Sequence, residues 1–251
     1  MPVENQSWIV KTGKRLRKVM NRAIVRWSAV DDTPVFDSSV FPWTAELERN
    51  WETIRKEAEK ILAFRDAVPP LGAISPDHKR LANDDKWKSY FMWGYGFRMP
   101  ENCARCPETA KIVESVPGLK TAMFSIHAPG VHIPRHKGAT KGMITCHLAL
   151  IVPKEGEKCR MQVHDQMCHW HEGRTLVFDD TYHHEVWNDS GEDRVILLIQ
   201  FARPLLLPGR IISSLFLAAI RWSPFVQDAR RNMGGWEQRF KQMEGGGAKR
   251  A

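Results

Sequence analysis

Four runs decide the fold: SIHAPGVHIPRHKG (125–138), MITCHLALIVP (143–153), FDDTYHHEVWND (178–189) and RVILLIQFARP (194–204). Each joins a short apolar, strand-like run to Gly, Pro, Asp or Asn. KTAMFSIHA, KCRMQVH, MCHWH and RTLVFDD have the same character. Many short strands separated by turn residues predict a β-sandwich or barrel of the jelly-roll kind from about Leu119 onward. His136 and His184 both sit beside such strands, and Arg194 opens the last one. A metal that uses neutral imidazoles, with a fixed cation nearby for an anionic cosubstrate, needs such parts. A lone histidine is more often a hydrogen-bonded core or surface residue, and the chain has 10 of them. Two turn-proximal histidines, the arginine and an all-β frame together outweigh that simpler account.

Upstream, FPWTAELERNWETIRKEAEKILAF predicts a helix capped by Thr44, with Glu46 and Glu48 at the positive end of its dipole. Its buried face is Trp51, Ile54, Ala58, Ile61 and Leu62. AVPPLGAISPDHKRLANDD reads as loop, and KWKSYFMWGYGFRMP as an aromatic-rich strand or strand pair. A helix from about Pro107 to Val116 ends at Pro117–Gly118. Residues 8–28 interleave Lys11, Lys14, Arg15, Arg17, Lys18, Arg22 and Arg26 with apolar residues and contain no acid. That pattern suits either a solvated helix packed by one face or a basic amphipathic helix on an anionic membrane. Ile211–Ile220 is too short to span a bilayer and is bracketed by Arg210 and Arg221. It reads as a helix packed on the barrel or as an interfacial anchor. The tail GGGAKRA is expected to be disordered.

The chain has 251 residues and a formal net charge of +8, a balance that favours anionic partners without choosing among them. It carries no nucleic-acid-binding signature, so no nucleic acid is expected. Five cysteines form no regular framework. With no signal-peptide-like core in the first thirty residues, free thiols in a reducing cytoplasm are expected. Cys103 and Cys106 make one CxxC in a helix start, a weak zinc signal that structural thiols explain better. The 10 tryptophans are read as core or groove walls.

The segment from Ser125 to Pro204 closely resembles the aspartyl/asparaginyl β-hydroxylase family of iron(II)- and 2-oxoglutarate-dependent dioxygenases, on the strings SIHAPGVHIPRHKG, HLALIVPKEG, FDDTYHHEVWND and Arg194 with its apolar strand. The resemblance implies a mainly β fold, a double-stranded β-helix (jelly-roll, cupin-like) core with flanking α-helices. It divides the chain into a basic N-terminal segment (1–30), a dioxygenase domain (31–204, core about 119–204) and a C-terminal extension (205–251). It makes His136 and His184 the Fe(II) ligands. The carboxylate of the wider superfamily's triad falls at Gly138, an absence this branch shares, and water is expected in its place. Asp179, Asp180 and Glu185 are then turn or outer residues. Arg194 matches the arginine that holds the distal carboxylate of 2-oxoglutarate, where a bidentate guanidinium is the reason for arginine. Ser125 and His147 match positions that also contact this cosubstrate, and O2 is the oxidant.

The same resemblance bears on substrate. Peptide-hydroxylating members carry two arginines where this chain has Met143 and Thr145, and a lysine where it has Met123. The loss of charge favours a more apolar substrate such as a lipid acyl chain, with the protein cytoplasmic and peripheral on the inner face of the membrane. Hydroxylation of aspartyl or asparaginyl residues or of a free amino acid is the alternative. A halide in the vacant iron position, and a non-catalytic β-barrel binding protein, are further alternatives.

Overall fold

The computed structural model describes residues 3–75, 81 and 85–247, with side chains described from Arg15. In chain order the elements are α1 (Val3–Arg26), β1 (Val35–Phe36), α2 (Thr44–Arg49), α3 (Trp51–Leu62), α4 (Leu71–Ile74), β2 (Trp87–Gly94), β3 (Phe97–Arg98), α5 (Pro100–Arg105) and α6 (Pro107–Glu114). Then follow β4 (Leu119–His127), β5 (Val131–His136), β6 (Met143–Ile151), β7 (Cys159–Val163), β8 (Gln166–His169), β9 (Thr175–Phe178), β10 (His184–Asn188), β11 (Arg194–Ala202), α7 (Leu207–Arg221) and α8 (Pro224–Gly247).

The strands form two antiparallel sheets that enclose a jelly-roll interior. The major sheet has the order β1-β9-β6-β11-β4-β2-β3, and the minor sheet the order β5-β10-β7-β8. β11 is central, paired with β4 on one side and β6 on the other. Its run VILLIQF is apolar at nearly every position because both faces are covered. Leu197, Ile199, Phe124, Cys146 and Leu148 face a cluster with Ile54, Ala58 and Ile61 of α3. Ile196, Leu198, Met123 and Ala149 face the other way, against Met161, Val163 and Val186 of the minor sheet.

The helical reading needs four corrections. The single predicted helix is broken at Asn50, whose backbone N–H still bonds to Glu46 and Leu47 while the next helix starts. Thr44 is not a side-chain cap: the N-cap is Trp43, and the Thr44 hydroxyl donates to the Phe41 carbonyl. The C-terminal glycines are not wholly outside structure, since α8 runs to Gly247. Residues 248–251 lie outside the described residues, as do 76–80 and 82–84 of the expected loop, which includes α4. The aromatic strand pair forms a hairpin turned by Tyr95 and Gly96, both at positive φ, as a two-residue hairpin loop requires. Cys103 and Cys106 are both buried free thiols, and burial pushes the Cys103 thiol up to about 11.

One buried carboxylate fixes the helical layer. Glu57 of α3 accepts from the backbone N–H groups of Glu108 and Thr109 and from the Thr109 hydroxyl. It thereby satisfies the first turn of α6, where donors and dipole both favour an anion. Glu57→Ala leaves those donors buried and unpaired, and we expect a loss of about 2–3 kcal/mol in urea unfolding. Glu57→Gln, which keeps an acceptor, is expected to lose less.

Candidate active site

The site lies between the sheets, on the interior wall of the major sheet and the facing strands of the minor sheet. Residues of like parity on paired strands share a face. On β11 the interior residues are Arg194, Ile196, Leu198 and Gln200. Opposite them on β4 stand His127, Ser125, Met123 and Thr121. On β6, His147 pairs with Leu198 and Thr145 with Gln200. The wall is therefore cationic at one end, apolar in the middle and polar at the other, over about 20 Å of strand.

His136 and His184 face this wall from β5 and β10, where they are direct cross-strand partners with ring centroids 4.1 Å apart. Strict alternation along VHIPRH would put Val131, Ile133 and Arg135 inside. A bulge instead sets Pro134 and Arg135 against the single residue Glu185, so the phase shifts and His136 turns inward. Proline is tolerated there because a bulge interrupts the ladder. Each ring makes the same local bond: His136 Nδ1 to the Pro134 carbonyl at 2.9 Å, and His184 Nδ1 to the Tyr182 carbonyl at 3.0 Å. A carbonyl only accepts, so Nδ1 carries the proton and the lone pair sits on Nε2. Burial, with His136 as a neighbour, holds the His184 imidazole down at about 4, and it is neutral at physiological pH.

Arg194 is 1% exposed and lies over the Trp170 ring at 4.5 Å. No acid pairs with it among the described residues, and its Nε has no hydrogen-bond partner. Burial alone brings its guanidinium down to about 10, still charged. His147 Nδ1 accepts from Trp170 Nε1 at 3.4 Å, which leaves the Nε2 proton buried without an acceptor. Both nitrogens of His127 and the hydroxyl of Thr145 are likewise buried and unpaired. The Ser125 hydroxyl is held by Trp87 Nε1 at 3.0 Å. Native interiors rarely leave so many polar atoms unsatisfied in one place, and an uncompensated buried cation is costly. A small polyanion on Arg194 and a metal on the two Nε2 atoms fit these residues. Among the described residues no three His, Cys, Asp or Glu side chains converge as a metal group.

The three acids near the second histidine separate by role. Asp179 is fully buried in an ion pair with Arg203. Glu185 points outward and pairs with His132 at 2.7 Å. Asp180 belongs to the site: a Cβ at Gly138 would fall on its carboxylate, its backbone carbonyl accepts from Gly138, and its Oδ2 accepts from Gln200 at 3.3 Å. Burial and the Asp179 charge push its carboxyl up to about 7. His127, Trp170 and Gln200 went unread in the sequence. Period two from Ser125 reaches His127, and from Arg194 reaches Gln200. Trp170 has no such signal, because it follows β8 in the minor sheet and meets Arg194 only across the interior.

These shifts have a consequence for stability. His127 and His147 are held well below the usual 6.5 by burial first and the Arg194 charge second, and His184 also lies below it. The unfolded chain takes up those three protons below about pH 6.5, and the native state does not. Asp180 acts oppposite in sign, staying protonated in the native state below about 7 while ionised in the unfolded chain. We expect stability to fall between about pH 6 and 5 by about 2–3 kcal/mol per unit, corresponding to net uptake of about two protons on unfolding. Urea titrations at stepped pH read this slope, and Asp180→Asn is expected to steepen it.

The family model described as Aspartyl/Asparaginyl beta-hydroxylase matches residues 48–204. An ornithine lipid ester-linked acyl 2-hydroxylase of Rhizobium tropici is 39% identical over 216 residues, covering 86% of this chain and 77% of its own length. The human aspartyl/asparaginyl beta-hydroxylase is 34% identical over 167 residues, 64% of this chain and 21% of that protein. Human aspartate beta-hydroxylase domain-containing protein 2 is 31% identical over 186 residues, 68% of this chain and 48% of its own length. The chain thus spans half or less of these two human relatives. Among solved structures, the cupin domain of Schizosaccharomyces pombe Cnp3 aligns over 47% of this chain and 65% of that chain, with TM-score 0.32 and 11% identity. With the family model matching more than half of its length, the chain belongs to the aspartyl/asparaginyl β-hydroxylase family.

Proposed function

We propose that this chain is an iron(II)- and 2-oxoglutarate-dependent hydroxylase whose substrate is the acyl chain of a lipid. The carrying observation is Arg194, a buried cation with no protein counter-charge among the described residues, on the wall that the two histidines face. In this reading His136 and His184 hold the ferrous ion through Nε2, and Arg194 holds the distal carboxylate of 2-oxoglutarate. Once bound, metal and cosubstrate activate O2 for hydroxylation of an unactivated C–H bond.

The remaining residues prepare that reaction. The Pro134 and Tyr182 carbonyls fix both imidazoles in one tautomer. Trp170 stacks beneath the guanidinium and orients His147, whose Nε2–H remains to donate to the cosubstrate. Ser125 supplies a hydroxyl already ordered by Trp87. Asp180 holds a proton at Oδ1 below neutral pH, since Oδ2 accepts from Gln200. Met123, Leu198 and Phe178 keep the middle of the cavity apolar.

Two observations favour an acyl chain. Beyond Arg194 the wall offers Ile196, Met123, Leu198 and Thr145, and among the described residues of its paired strands no further cation to hold an acidic side chain. The relative from Rhizobium tropici is named for acyl 2-hydroxylation. Hydroxylation of aspartyl or asparaginyl residues, the activity in the name of the human relative, is the second reading. Five free cysteines suit a cytoplasmic location.

The test is succinate formation from 2-oxoglutarate by anaerobically purified protein given ferrous iron and air. Ornithine lipid and an aspartyl peptide are supplied in separate reactions, with mass spectrometry of each product. We expect oxygen insertion into the lipid acyl chain. Insertion into the peptide instead favours the second reading, and no iron-dependent succinate with either overturns the mechanism. His136→Ala and His184→Ala are each expected to lower turnover by more than about 100-fold. Arg194→Ala is expected to raise the KM for 2-oxoglutarate by roughly 30-fold or more, as loss of a buried charge pair does.

A further inference from the structure

Helices α1 and α7 pack on each other outside the barrel. They are joined where the Leu206 N–H donates to the Trp27 carbonyl and where Gly209 lies against the Trp27 side chain. Their outer faces are apolar and open. On α7, Leu207, Ile211, Leu215 and Trp222 recur at helical spacing and are all exposed, Leu215 at 67% and Trp222 at 73%. On α1, Leu16 and Val19 are exposed as well. Scattered apolar residues at a surface are ordinary; a row of exposed ones at helical spacing, with two more on the helix packed beside it, is not.

Charge says what covers this face. Arg15, Lys18, Arg22 and Arg26 of α1 and Arg210 and Arg221 of α7 are all exposed. Among the described residues none of the six is in an ion pair, whereas Arg49, Arg55, Arg65, Arg160, Arg174 and Arg231 elsewhere each are. No acidic residue occurs from 5 to 30 or from 203 to 227. Beneath α7 a cavity of about 290 Å³ brings Lys120, Arg210 and Arg221 around Leu217 and Trp222. Apolar side chains among cations that have no acidic partner, with an aromatic at one end, match the boundary of an anionic bilayer. No described helix is long and apolar enough to cross one.

The same helices hold the loop that follows His136. Asn21 of α1 donates to the Ala139 carbonyl at 3.3 Å and accepts from the Lys141 N–H at 3.0 Å. Gly142, at the end of that loop, lies against Ser213 of α7. We propose that the α1–α7 face docks the protein on an anionic lipid bilayer and so sets the loop after His136 beside the membrane surface. This deepens the acyl-chain reading and rests on it for the meaning of the docking, not for its occurrence.

The test is cosedimentation of the full chain with vesicles of phosphatidylglycerol and phosphatidylcholine, against vesicles of phosphatidylcholine alone, at low and high salt. We expect binding to the anionic vesicles only, weakened by salt. Arg22→Gln with Arg26→Gln and Arg210→Gln is expected to weaken it by roughly fivefold per charge. Leu215→Ser with Trp222→Ser is expected to lower it at least tenfold, with thermal unfolding unchanged because both side chains are exposed. Equal binding to neutral vesicles, no binding, or variants that bind like the parent overturns the proposal. So does sedimentation as a dimer that ignores vesicles, which would put a second copy on the face. Turnover of detergent-dispersed lipid separates the two readings: turnover without vesicle binding removes only the docking, and vesicle binding without turnover removes only the chemistry.

Discussion

The ion pair between Asp179 and Arg203 has no exposed side-chain surface, and four separate segments converge on it. Arg203 also donates to the Lys141 and Asp31 carbonyls and to the Ser28 hydroxyl. Asp179 also accepts from Lys141 at 3.0 Å and from the Thr181 N–H and hydroxyl. The end of β11, the exit from α1, the loop after His136 and the turn before His184 are thus locked together. Breaking such a pair by removing one partner costs about 3–5 kcal/mol, because the other charge stays buried. Asp180 and His184 follow directly from this turn, so their positions depend on a contact that touches no reacting group.

Around that lock the interior is graded. At the Arg194 end burial is complete, and among the described residues the buried unpaired polar atoms other than those of Ser89, Thr145 and Asp180 belong to Arg194, His127 or His147. The apolar middle helps keep water from His184, which is buried, while His136 is half-exposed, and the outer end is polar through Gln200, Thr145 and Asp180. A low-dielectric cavity strengthens whatever charge pairing a ligand brings to it. It also keeps His184 deprotonated.

Much of this was legible from residues alone. All eight strand-like runs from Leu119 onward are strands, because alternation and turn residues agree locally with the final pairing. His136, His184, Arg194, Ser125 and His147 all lie on the interior face, although the two histidines are paired only through sheet formation. What could not be read was set by contacts distant in sequence. Trp43 displaced Thr44 as the cap because the Thr44 hydroxyl is drawn to the Phe41 carbonyl. Trp170 acquires its place from the fold of the minor sheet over Arg194. Asp180 looks like its neighbour Asp179 in the sequence, and only the absent Cβ of Gly138 opens the space it fills.

The extra residue at Pro134 and Arg135 also bears on inheritance. With Val131 and Ile133 inside, regular alternation turns position 135 inward, and the bulge is what hands that place to His136. Deleting Pro134 or Arg135 would remove the bulge and leave the same imidazole on the inner face, whereas straightening the strand with both residues kept would turn it outward. A lineage can therefore gain or lose one residue here and keep its paired-histidine cavity, so a gap at this point in an alignment does not mark a silent barrel.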